Sequence, residues 1–120
     1  MTGILVVDDE AAVRALLDAA LRQLGSMVWL AANGHEAIEL YRQHGPEIGV
    51  VLLDVRMPGL DGPQTLSALQ QLNAQVRCFF MSGDTGRYTA AELLGLGAVG
   101  ILSKPFRLDG ILQALGPRSG

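Results

Sequence analysis

The 120-residue chain has one cysteine, one lysine, one tryptophan and no long hydrophobic run. Cys78 has no second cysteine to pair with, so a disulfide and a thiolate metal site are both excluded. Set in the apolar run "VRCFFM", it reads as a buried, inert thiol. No apolar run approaches the ~18 residues of a membrane span. The N-terminal run "ILVV" is short, lacks a basic flank and ends in acids, unlike a signal peptide. These features point to a cytoplasmic protein with no membrane partner. A net charge of −3 and a sequence pI near 5.2 leave no basic footprint for direct nucleic-acid binding. Eight of the nine basic residues are arginine, so Lys104 stands as an exception that an arginine preference does not explain.

What is present is a core. With 49% hydrophobic residues, the length suits one domain over 1–120, with residues 117–120 expected as a flexible tail. The runs "ILVV" (4–7), "VVLL" (50–53), "CFFM" (78–81) and "VGIL" (99–102) are too continuous for strands with one wet face. They read as strands of a parallel sheet buried on both sides. "MVWLAA" (27–32) is weaker and suits an edge strand. Between the runs lie helical patterns. Asp9 is a candidate N-cap, followed by Val13, Leu16, Leu17, Ala20, Leu21 and Leu24 at helical spacing and stopped by Gly25. Residues 35–43 place Ala37, Ile38 and Tyr41 on one face, and residues 63–72 place Leu66, Leu69 and Leu72 together behind Pro63. A helical segment at 87–95, within the glycine- and threonine-rich stretch "TGRYTAAELLGLG", and a last helix at 107–116 complete five strand-then-helix units. Strict alternation predicts an α/β domain, whose ligands bind beyond the carboxyl ends of the strands.

Asp8 and Asp9 follow the first run, Asp54 the second, Ser82 the third and Ser103-Lys104-Pro105 the fourth. Taken singly, Asp9 suits a helix cap, Asp8 an exposed strand-end acid, Ser82 a turn and Lys104 a solvated loop. Asp54, directly after four apolar residues, resists so bland a reading, because a desolvated carboxylate without a partner is costly. Together, three carboxylates on one rim would hold one another's pKa values up unless a positive charge compensated. Oxygen-only ligands favour Mg²⁺ over zinc.

The stretches "VVDDE" (6–10), "LLDVRMPGLDG" (52–62), "MSG" (81–83) and "KPF" (104–106), in this order and spacing, resemble the receiver domain of two-component response regulators. The resemblance implies a flavodoxin-like (βα)5 three-layer sandwich with a parallel five-stranded sheet of order 2-1-3-4-5. It implies that Asp54 takes a phosphoryl group from the phosphohistidine of a sensor histidine kinase or phosphotransfer protein. The implied Mg²⁺ ligands are Asp9, Asp8 directly or through water, Asp54 and the backbone carbonyl of Arg56. Lys104 would pair with a phosphoryl oxygen, Ser82 would donate a hydroxyl hydrogen bond to another, and a cis bond to Pro105 would aim the lysine. Arg56 and Asp84, two residues after Asp54 and Ser82, occupy positions that vary in such domains and tune phosphoryl lifetime; here they could bridge as a partial lid or lie as a surface pair.

Ile101 departs from the pattern, since such domains commonly carry an aromatic switch three residues before the lysine. A haloacid-dehalogenase-type enzyme would need an acid at position 56, and a flavin module would be repelled by Asp8, Asp9 and Glu10. An interaction domain that no longer accepts phosphate is the remaining alternative. No output domain is evident in the sequence. Either a downstream protein target or a fused output domain would then receive the signal.

Overall fold

The sheet forms from the continuous apolar runs. A computed structural model describes residues 3–83 and 88–104. In chain order the elements are β1 (Gly3–Val7), α1 (Ala11–Gln23), β2 (Met27–Ala31), α2 (Gly34–His44), a 3-10 turn (Gly45–Glu47), β3 (Ile48–Asp54), α3 (Gly62–Leu72), β4 (Cys78–Ser82), α4 (Ala90–Gly95) and β5 (Gly100–Ser103). The strands lie in the order β2-β1-β3-β4-β5 and every neighbouring pair is parallel. This is the flavodoxin-like arrangement, with the weaker "MVWLA" strand at one edge.

Alternating side chains of the central strands feed two cores. Leu5, Val7, Val51, Leu53 and Phe80 meet Ala37 and Tyr41 of α2, Leu66 and Leu69 of α3 and Leu93 of α4. Ile4, Val6, Val50, Leu52, Phe79 and Met81 meet Leu17 and Leu21 of α1. A strand sends successive side chains to opposite faces, so strands covered on both sides must be apolar throughout.

Four expectations need correction. Glu10, not Asp9, precedes the first turn of α1, and its side chain makes no capping bond. Leu16 and Leu72 are exposed, because α1 faces the sheet through the Leu17–Leu21 stripe and α3 through Leu66 and Leu69. Val99 precedes β5 and is also exposed, and the expected helix at 87–95 is observed from Ala90. The expected helix at 107–116, the tail at 117–120, Asp84 and Pro105 with its peptide bond lie outside the described residues.

Local chemistry sets the helix starts. Asn33 accepts from the Glu36 amide at the start of α2. Asp61 and Gln64 form a reciprocal capping box on α3, with Pro63 in its first turn. Gly25, at φ +87°, follows α1 in the left-handed conformation that glycine tolerates. Gly62 brings α3 hard against the end of β3. A Cβ there would stand 2.6 Å from the Asp54 carbonyl oxygen and 2.9 Å from Val55 Cα. The backbone that presents Asp54 is thereby packed against the start of α3.

Candidate phosphoacceptor and metal site

Asp8 extends β1 by one residue, its amide donating to the Ala31 carbonyl at 3.1 Å. Its side chain is fully buried, so the expected strand-end acid is not exposed at all. Asp8 Oδ1 accepts from the Glu10 amide at 2.8 Å, and Oδ2 accepts from Lys104 Nζ at 2.8 Å. The Asp8 backbone carbonyl accepts from Arg14 Nη1 at 2.7 Å. Asp9, next in the chain, is exposed.

Asp54 ends β3 and is buried. One ligand oxygen from each of Asp8, Asp9 and Asp54 lies within 4.8 Å of the others. Lys104 Nζ stands 3.5 Å from Asp54 Oδ1 and 3.6 Å from Glu10 Oε1, so the chain's sole lysine faces three carboxylates. It is held there in part by its own amide, which donates to the Ser82 carbonyl. Ser82 ends β4; its hydroxyl is buried and has no hydrogen-bond partner among the described residues.

The electrostatics follow from that crowding. Burial, then the negative charge of Asp8, push Asp54 up to about 7, with Asp9 adding to the rise and Lys104 opposing it. Burial works against the charged form of Lys104, but its bond to Asp8 and the charge of Asp54 outweigh this and raise its pKa. Three carboxylates sharing one ammonium remain short of positive charge. The donor set is all oxygen, which suits a hard divalent cation.

Asp8, Asp9 and Asp54 thus lie with Lys104 at the carboxyl ends of β1, β3 and β5, and Ser82 ends the neighbouring β4. Arg56 is exposed in the segment after β3, beyond Asp54. Ile101 is half-buried in β5, paired in register with Phe80 and packed on the core beneath α2 to α4. Burial pushes the Cys78 thiol up to about 12, in keeping with an inert side chain. Two contacts escaped sequence reasoning. Tyr88 donates its hydroxyl to Asp61 Oδ2 at 2.8 Å, tying the approach to α4 to the start of α3. Arg14 holds the Asp8 carbonyl, and its signal was its position: a cation near a helix N-terminus opposes the helix dipole.

A family profile described as the response regulator receiver domain matches residues 4–116. The chain belongs to this family. It is 34% identical over 113 residues to chemotaxis protein CheY of Bacillus subtilis, covering 93% of this chain and 92% of that one. Against sporulation initiation phosphotransferase F of the same organism it is 32% identical, covering 93% and 89%. The structure superposes on the CheX–CheY–BeF3–Mg²⁺ complex of Borrelia burgdorferi with a TM-score of 0.88 at 29% identity, covering 95% and 86%.

Proposed function

We propose that this receiver domain takes a phosphoryl group onto Asp54 from the phosphohistidine of a sensor histidine kinase or phosphotransfer protein, with Mg²⁺ bound by Asp8, Asp9, Asp54 and the Arg56 carbonyl. The observation that carries this reading is the convergence of Asp8, Asp9 and Asp54, with Lys104 against two of them, and a buried Ser82 hydroxyl that has no partner among the described residues. The Borrelia relative, solved with BeF3 and Mg²⁺, supports the same chemistry here.

Asp54 is the nucleophile: one carboxylate oxygen forms a bond to phosphorus while the phosphorus–nitrogen bond of the donor breaks and the imidazole keeps the electron pair. Only ionised Asp54 can attack, and with its pKa near 7 the metal-free carboxyl is substantially protonated at neutral pH. Mg²⁺, when bound, supplies the positive charge that ionises this carboxyl and neutralises the phosphoryl oxygens. Lys104, within 3.5 Å of Asp54, pairs with a phosphoryl oxygen as a point charge. The Ser82 hydroxyl, which has no partner among the described residues, donates to another. No observation favours a domain that has stopped accepting phosphate. Ile101 has no hydroxyl with which to exchange partners, so the signal passes to a downstream target or fused output domain through other residues, beginning with Ser82.

Acetyl phosphate should add one phosphoryl group in the presence of Mg²⁺, and Asp54→Asn should abolish it, as read by intact mass. Equal phosphate on both proteins would remove Asp54 from the role. Arg56, exposed just past the acceptor, is proposed to limit water's approach to phosphorus together with Asp84. Arg56→Ala should then speed loss of the phosphoryl group about tenfold, which is roughly 1.4 kcal/mol of barrier. Decay is followed after donor removal, and an unchanged rate leaves the arginine as an ordinary surface charge.

A further inference from the structure

Asp8 is held at four points, and three belong to the strand, the turn or the charge cluster already described. Its amide continues the sheet to Ala31, Oδ1 takes the Glu10 amide, and Oδ2 takes Lys104. The fourth is different in kind. Arg14, from the opening of α1, reaches back six residues to the Asp8 backbone carbonyl at 2.7 Å and is itself half-buried.

We propose that Arg14 is a positioning residue for the divalent-cation site, fixing the turn between β1 and α1 so that Asp8 and Asp9 stand against Asp54. The proposal rests on the reading of this site as a cation site. Its logic is one of sign. A cation near the N-terminus of α1 opposes the helix dipole, and a cation near a site for a divalent ion repels that ion. Both electrostatic effects are unfavourable, so what Arg14 contributes is geometric. The turn needs such a tie, because Glu10 supplies no side-chain cap and α1 has no acid in its first turn. A cation drawing on the Asp8 carboxylate competes with Lys104 for its oxygens. The Arg14 bond is to the backbone carbonyl and survives that competition.

The test is a calorimetric titration of Mg²⁺ into the wild-type protein, Arg14→Met and Arg14→Lys near neutral pH. Arg14→Met keeps the aliphatic stem and loses the donors and the charge. If Arg14 positions the ligands, Mg²⁺ binds about three- to tenfold more weakly to Arg14→Met, and Arg14→Lys, which keeps a donor, recovers part of the loss. If Arg14 acts only as a nearby charge, Arg14→Met binds Mg²⁺ as well as or better than wild type, which overturns the proposal. Should Arg14→Met fail to fold, nitrogen-15 spectra of the wild-type guanidinium decide. Restricted rotation of the Arg14 guanidinium before and after Mg²⁺ saturation supports the tie, and free rotation in the saturated protein overturns it. Failure of the phosphoacceptor reading is separate, since it shows as wild-type protein that binds Mg²⁺ and takes no phosphoryl group.

Discussion

Asp54→Asn should stabilise the metal-free protein by on the order of 3 kcal/mol above pH 7 and by almost nothing near pH 4. The ordinary value of the carboxyl is 3.8 and its folded value is about 7. Between these the folded state binds more protons than the unfolded state, so wild-type stability falls as pH rises. The contribution of protonated Asp54 is intact below about pH 4 and is lost as pH climbs through 7. Asparagine has the shape of the protonated carboxyl and nothing to titrate, so the variant does not share this loss. At pH 7.5 the gap corresponds to a rise in melting temperature on the order of 10 °C. Mg²⁺ should narrow it from the other side: if Asp54 is a ligand, the ion stabilises folded wild type, and the variant, with one ligand fewer, gains less. Melts at pH 4.5 and 7.5, with chelator and with Mg²⁺, make four comparisons. An equal gap at both pH values in chelator would show that Asp54 is not held short of its charge.

That strain at Asp54 was legible in the sequence as a carboxylate after four apolar residues, and so was the sheet that creates it. Runs such as "VVLL" announce strands covered on both faces, and the polar residue that ends each run must then emerge at the same rim. What the sequence could not show was which acid of the pair is buried. Asp8 and Asp9 are neighbours with one chemistry, and Asp8 is buried because Lys104, 96 residues away, reaches its carboxylate. The same limit applies to Leu16 and Leu72. Helical spacing puts them near the apolar stripe, but the side of the stripe that meets the sheet is decided by packing against strands elsewhere in the chain. Arg14 is legible only in part: its place at a helix start is a signal, but its partner is a backbone carbonyl, which no side-chain pattern identifies.

Lys104→Met should lower the stability of the metal-free protein by about 3 kcal/mol at neutral pH, opposite in sign to Asp54→Asn. The lysine makes a 2.8 Å bond to a carboxylate with no exposure to water and stands 3.5 Å from a second carboxylate. Removing one partner of a buried pair leaves the other charged and unpaired, which costs more than the pair itself contributes. Methionine preserves the stem, so the loss is one of charge and donor rather than of packing. Asp54 should respond as well, since the lysine is the group that holds its pKa down against burial and Asp8. If Mg²⁺ then supplies the positive charge that the lysine gave these acids, the melting temperature of Lys104→Met should rise more with Mg²⁺ than that of wild type. The double variant with Asp54→Asn provides the sharper measurement. With one carboxylate neutralised, the remaining acids need the lysine less, so losing it costs less than in the wild-type background, and the two changes are not additive. Strict additivity in chelator would mean that Lys104 and Asp54 do not interact across their 3.5 Å separation. The lysine would then serve Asp8 alone, and its part in holding a phosphoryl group on Asp54 would lose its electrostatic basis.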